Sequence, residues 1–156
     1  MRKAEVSRRT KETDISLSLE LDGAGRAEIG TGVGFFDHML ELLTVHGKLN
    51  VKLVCRGDLQ VDAHHTVEDV GIALGGCVKA ALGDKRGIAR FADHVVPMDD
   101  PAAQVAVDFS GRPALIFPDK IAGSAGGFDM ELVEEFLRAF TVHAGCNLYV
   151  KLLSRG

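Results

Sequence analysis

The 156-residue sequence has no apolar run near the roughly 20 residues of a membrane-spanning helix, so no transmembrane segment is expected. Its opening stretch, "MRKAEVSRRTKETD", lacks the apolar centre of a secretory signal, which makes the cytoplasm the expected location. An excess of positive charge is missing too. With 18 Lys and Arg against 22 Asp and Glu, spread along the chain, a basic nucleic-acid-binding surface is not expected. Cysteine is scarce: Cys55, Cys77 and Cys146 are odd in number and form no CxxC, which fits reduced thiols better than a disulfide framework or a thiolate zinc site. They are expected to be reduced, buried thiols.

What is present suits one folded domain. Apolar residues make up 46% of the chain, too many for a disordered segment. A chain of this length buries roughly 70% of its unfolded surface. In "TDISLSLEL" (13–21) Ile15, Leu17, Leu19 and Leu21 alternate, which predicts a strand with one buried face. "DGAG" then turns the chain into a second strand near 26–31, read as the partner of a hairpin. Met39, Leu40 and Leu43 predict a helix over 37–46 that Gly47 would end in a left-handed conformation. A strand follows over 48–55, then a helix over about 64–82. The segment 103–117 reads as strand, turn and strand, and Val133, Phe136, Leu137 and Phe140 mark a further helix.

The clearest internal signal is a repeat. "TVHGKLNVKLVCRG" (44–57) and "TVHAGCNLYVKLLSRG" (141–156) cross from helix end to strand with the same residues, and the order of elements around them also matches. This predicts a duplicated α/β chain forming a single domain, with a first repeat over about 1–90 and an incomplete second over about 91–156.

"VDAHHTVEDVGIALGG" (61–76) carries the chemistry. At about 100° per residue from His64, Glu68 lies near 40° and His65 near 100°, on one arc of the helix. Val67, Val70, Leu74, Cys77, Val78 and Ala81 occupy another, which must face the core. Gly71 and Gly75 lie near the His64 direction, where a ligand or another backbone can approach, and Asp62 is placed to cap the helix. Two imidazoles and a carboxylate suit a borderline divalent cation such as manganese, iron or zinc, although HHxxE alone equally fits a polar helix start. His38, opening the preceding helix in "GVGFFDHML", adds a further donor. His46 and His143, at helix ends, read as structural, and His94 as a surface residue in the loop "FADHVVPMDD". Arg90 in "GIARF" and Arg112 in "DFSGRP" each follow a turn and offer a guanidinium fork to an anion such as phosphate.

"RKAEVSRRTKETDI", "TGVGFFDHMLELLTVHG", "GDLQVDAHHTVEDVGIALG", "ALGDKRGIARF", "VPMDD", "DFSGRP" and "ELVEEFLRAF", in this order, resemble the imidazoleglycerol-phosphate dehydratase family of histidine biosynthesis. The resemblance implies two halves, each a four-stranded sheet with two helices, and trimers assembled into a 24-mer with di-manganese sites between subunits. It places His38, His64, His65 and Glu68 on metal-ligand positions, and Glu68 and His65 with Glu12 in the catalytic set. Glu12 falls on the substrate-contacting acid/base glutamate, and Arg90 and Arg112 on substrate-phosphate positions. The implied reaction is the dehydration of D-erythro-imidazoleglycerol phosphate to imidazoleacetol phosphate, its imidazole held by metal. Two features depart from the family pattern. A second HHxxE helix, which carries the other ligands and a substrate-binding lysine, does not follow "KLLSRG", and Tyr149 stands where the family has the histidine of an "LH" pair. The second half is therefore expected to lack its last helix and leave apolar strand surface uncovered. The alternative to an active dehydratase is an inactive family member that keeps assembly and partial metal binding.

Overall fold

The computed structural model describes residues 1–154. The chain begins with β1 (Lys3–Arg9), β2 (Thr13–Glu20), β3 (Arg26–Gly30), α1 (Gly34–His46), β4 (Asn50–Gly57) and α2 (His64–Leu82). It continues through β5 (Phe91–Pro97), β6 (Ala102–Asp108), β7 (Ala114–Ile116), β8 (Ser124–Ala125), β9 (Phe128–Asp129), α3 (Leu132–Ala144) and β10 (Asn147–Ser154). Two four-stranded sheets result, ordered β1-β2-β4-β3 and β5-β6-β10-β7, beside a small β8-β9 ribbon. The fold is the mixed α/β class read from the sequence.

The two sheets share a register. β4 lies antiparallel to β2 and parallel to β3, and β10 lies antiparallel to β6 and parallel to β7. Asn50 faces Glu20 in the first sheet as Asn147 faces Asp108 in the second. Arg155 and Gly156, the end of the second repeat copy, lie outside the described residues.

The predicted hairpin of β2 with β3 does not form. β4 inserts between them, because β3, α1 and β4 make a crossover that returns the chain parallel to β3. Asn50 secures the loop before β3: its Oδ1 accepts the amide N–H groups of Ala24 (2.9 Å) and Arg26 (3.1 Å). α1 starts three residues before its predicted position, since Asp37 sits within its first turn and accepts both the amide and the hydroxyl of Thr31. Gly47 is right-handed, and the positive φ falls one residue later, on Lys48 at 52°. β1 and β5, the unpredicted edge strands, complete the sheets; His94 lies on β5, not in a loop.

The core forms where Ile15, Leu17 and Leu19 of β2 and Val51, Leu53 and Cys55 of β4 meet Val67, Val70, Leu74, Cys77 and Val78 of α2. Each such aliphatic side chain contributes about 1.5–3 kcal/mol on burial. Cys55, Cys77 and Cys146 are buried free thiols, each pushed up to about 11, chiefly by desolvation. The second sheet is covered less: α3 packs on β7 and α2, while β5 is exposed along its length, with Phe91 at 67% and Val96 at 56%.

α2 and α3 join the halves at very short range. A Cβ on Gly71 would stand 2.8 Å from the Phe136 carbonyl oxygen, and one on Gly75 2.6 Å from that of Phe140. Of the two uses open to these glycines, the approach of another backbone is the one realised. Gly75→Ala is therefore expected to destabilise the fold by about 1–3 kcal/mol, because backbone cannot yield as a side-chain tip can. Gly76→Ala, which meets nothing within 4 Å, is expected to stabilise by up to about 1 kcal/mol through helix propensity. Urea unfolding of the two variants measures both, and their opposite signs are the check.

Candidate active site

The start of α2 is set by Asp62, whose Oδ1 accepts the His64 amide N–H at 2.9 Å. Burial of the apolar arc from Val67 to Ala81 then leaves the first-turn histidines at the surface. His64 Nε2 lies 3.3 Å from Glu68 Oε2, with the side chains 43% and 41% exposed. His65 turns elsewhere: its Nδ1 is 2.7 Å from Asp58 Oδ2, and the two imidazole rings stand 6.0 Å apart at 74°. Asp58 raises the His65 pKa, first through this hydrogen bond and also by its charge, against a lowering by desolvation. A raised pKa means that the pair favours the fold below the ordinary histidine range and loses that contribution as the pH climbs through the elevated value.

His38 is exposed on α1, and no hydrogen bond or ion pair among the described residues ties it to the other three. Nor is any group of three or more His, Cys, Asp or Glu among the described residues placed to hold an ion. Within one chain the expected set of His38, His64, His65 and Glu68 is thus a convergent pair and two separate imidazoles. The pair does fit a metal. Ligands at about 2.1 Å stand about 3.0 Å apart in octahedral and about 3.4 Å apart in tetrahedral arrangements, which brackets the His64–Glu68 separation. His64 and Glu68 thus supply two donor atoms at a spacing that such a shell would accept.

Two carboxylates that sequence reasoning missed support this end. Asp58 closes β4 beneath His65. Asp69, buried on α2, accepts the Thr13 hydroxyl at 2.5 Å and pairs with Arg8 at 2.9 Å. The one available signal for Asp58 was an acid preceding the histidines in "GDLQVDAHH"; Asp69 had none, since its partners come from the β1–β2 end. Glu12 belongs to the same end, at the β1–β2 turn: its carbonyl accepts the Asp58 amide at 3.0 Å, and its charge helps raise the His65 pKa.

The predicted anion-binding residues gather elsewhere. Arg90 donates to both oxygens of Asp108, from Nε at 2.7 Å and Nη2 at 3.2 Å, with its guanidinium 4.8 Å from the Phe91 ring centre. The Asp108 carboxyl is lowered, mainly by Arg90, with Arg112 and Lys85 adding attraction. Arg112 is fixed through its backbone, its carbonyl accepting Asn147 Nδ2 at 2.6 Å, while Lys85 Nζ donates to the Phe109 carbonyl at 3.2 Å. Arg90 thus holds Asp108 directly while the charges of Arg112 and Lys85 act on it from further off, and Lys85 is the member that sequence reasoning overlooked. Gly111 in this turn donates to the Gly145 carbonyl at the C-terminal end of α3. Gly71 against Phe136 and Gly75 against Phe140 show that α3 runs in the same direction as α2. The arginine cluster and the histidines therefore occupy opposite ends of the helix pair, and α2 alone, at about 1.5 Å per residue, is about 27 Å long.

Residues 31–156 match the family model described as imidazoleglycerol-phosphate dehydratase. The chain belongs to that family. Members are hydro-lyases of histidine biosynthesis. An imidazoleglycerol-phosphate dehydratase of Methylorubrum extorquens is 56% identical over 154 residues, which cover 98% of this chain and 79% of that protein. One from Acetivibrio thermocellus is 53% identical over 97% of this chain and 78% of its own length. The crystal structure of the Staphylococcus aureus enzyme superposes with a TM-score of 0.87 at 35% identity, covering 99% of this chain and 85% of that one. The Pyrococcus furiosus dehydratase, in complex with (S)-C348, gives 0.79 at 29% identity, over 96% of this chain and 80% of that one.

In the dehydratase fold here, Arg8 and Thr13 of the first two strands anchor α2 through Asp69. Arg8→Met would leave the buried Asp69 carboxylate short of a charged partner, at an expected cost of about 1–3 kcal/mol. Adding Asp69→Leu should return part of that loss, since neither charge then remains buried. Urea unfolding of the single and double variants checks the sign of the recovery.

Proposed function

We propose that the chain catalyses the manganese-dependent dehydration of D-erythro-imidazoleglycerol phosphate to imidazoleacetol phosphate, in the cytoplasm and as a homo-oligomer. Membership of the dehydratase family supports the reaction class. The observation that carries the assembly is the separation of the two clusters. A small imidazole phosphate cannot reach both the histidine end and the arginine end of a helix about 27 Å long. On this reading a second chain brings its Arg90 and Arg112 to the first chain's His64, His65 and Glu68.

His64 with Glu68, and His65 and His38 as separate donors, are the residues that would hold manganese, which when bound would supply Lewis acidity at the substrate's ring. Arg90 and Arg112 bind the phosphate, the former through guanidinium N–H groups left over from its pairing with Asp108. In the dehydration a C–H bond and a C–O bond break, and the hydroxyl leaves as water. Glu12, at the β1–β2 turn beside His65, is our choice for the carboxylate that moves these protons. A second reading, partial metal binding and assembly without turnover, draws on the lack of a three-donor group among the described residues of one chain.

Paired variants separate these readings. His64→Ala and Arg90→Ala are each expected to abolish manganese-dependent turnover. Co-assembly of the two is expected to restore a fraction of it, because a mixed interface contains one intact set of each cluster. Co-assembled but inactive mixtures would show that the site is not shared in this way. Manganese binding by calorimetry with no turnover in the parent chain would establish the second reading.

A further inference from the structure

We propose that Asp58 is a positioning residue that holds the His65 ring with Nδ1 inward and Nε2 outward, so that Nε2 is the nitrogen offered to a metal. The metal half of this statement rests on the function proposed above; the orientation half stands on geometry alone. Asp58 is tied on both sides, its amide donating to the Glu12 carbonyl at 3.0 Å and its carbonyl accepting from Val61 at 2.9 Å. Its side chain is only 15% exposed, whereas that of His65 is 45% exposed. The contact thus joins a sheltered carboxylate, tied through its backbone, to a half-exposed ring.

An ionised carboxylate only accepts hydrogen bonds, so the 2.7 Å contact requires the proton on Nδ1. In the neutral ring the lone pair is then on Nε2, facing out. His64 lacks this preparation, because its Nε2 faces Glu68, another acceptor. A carboxylate behind a metal-binding imidazole fixes both tautomer and direction, and losing such a partner commonly weakens metal binding by about 10–100-fold.

The test uses the full chain, first without metal. Long-range proton–nitrogen spectra, recorded at a pH where the rings are neutral, report which nitrogen of His65 is protonated. The expected result is Nδ1–H in the parent chain and a shift toward Nε2–H in Asp58→Ala, with amide dispersion confirming that the variant folds. Asp58→Asn, which keeps an acceptor, is expected to retain Nδ1–H. Manganese calorimetry should then show a loss of about 10–100-fold for Asp58→Ala and a smaller one for Asp58→Asn. Nε2–H in the parent chain, or an Asp58→Ala variant with unchanged tautomer and affinity, would overturn the proposal. If the tautomer shifts as expected but neither chain binds manganese, the metal reading fails while the orientation of His65 is upheld.

Discussion

The close passage of α2 over α3 at Gly71 and Gly75 is the constraint on which the other features depend. Two helices whose backbones nearly touch cannot slide or rotate without collision, so the register of one sheet is fixed relative to the other. This contact also fixes how far apart the two polar clusters lie. α2 starts at the histidines, and the parallel α3 ends beside the turn that carries Arg112. The distance between the two clusters is therefore a property of the helix pair. A flexible loop could not impose it.

How much of this was legible in the sequence depended on whether the forces were local. α2 was read at its observed limits because its apolar arc is continuous and Asp62 marks its start. β2 and β4 were legible by alternation. The pairing of β3 was not, because a turn such as "DGAG" says that the chain reverses but cannot say that another strand will later enter the gap. β1 and β5 escaped notice for a related reason. β1 buries each alternate residue only partly and β5 none, so neither pattern carries a full apolar face.

The site divided along the same line. His64, His65 and Glu68 were found from helical spacing, and the His64–Glu68 approach follows directly from it. Spacing could not reveal that the two adjacent histidines answer to different carboxylates, since Asp58 belongs to the end of a strand and meets His65 only after β4 has paired with β2. The same holds for Asp69, whose partners Arg8 and Thr13 lie far away in sequence. Long-range polar partners leave no periodic trace.

The uneven treatment of charge at the two ends has a chemical sense. At the histidine end Asp58 holds His65 and Glu68 approaches His64, so each imidazole is met by its own carboxylate. At the other end Asp108 is paired with Arg90, and the charges of Arg112 and Lys85 also hold its carboxyl low. Asp108 holds Arg90 as Asp58 holds His65, each by a short contact to a side chain whose outer face remains exposed. Within one chain these opposite ends have no means of meeting. The two ends therefore differ in chemical character as well as in position, and the packed helix pair is what keeps them apart.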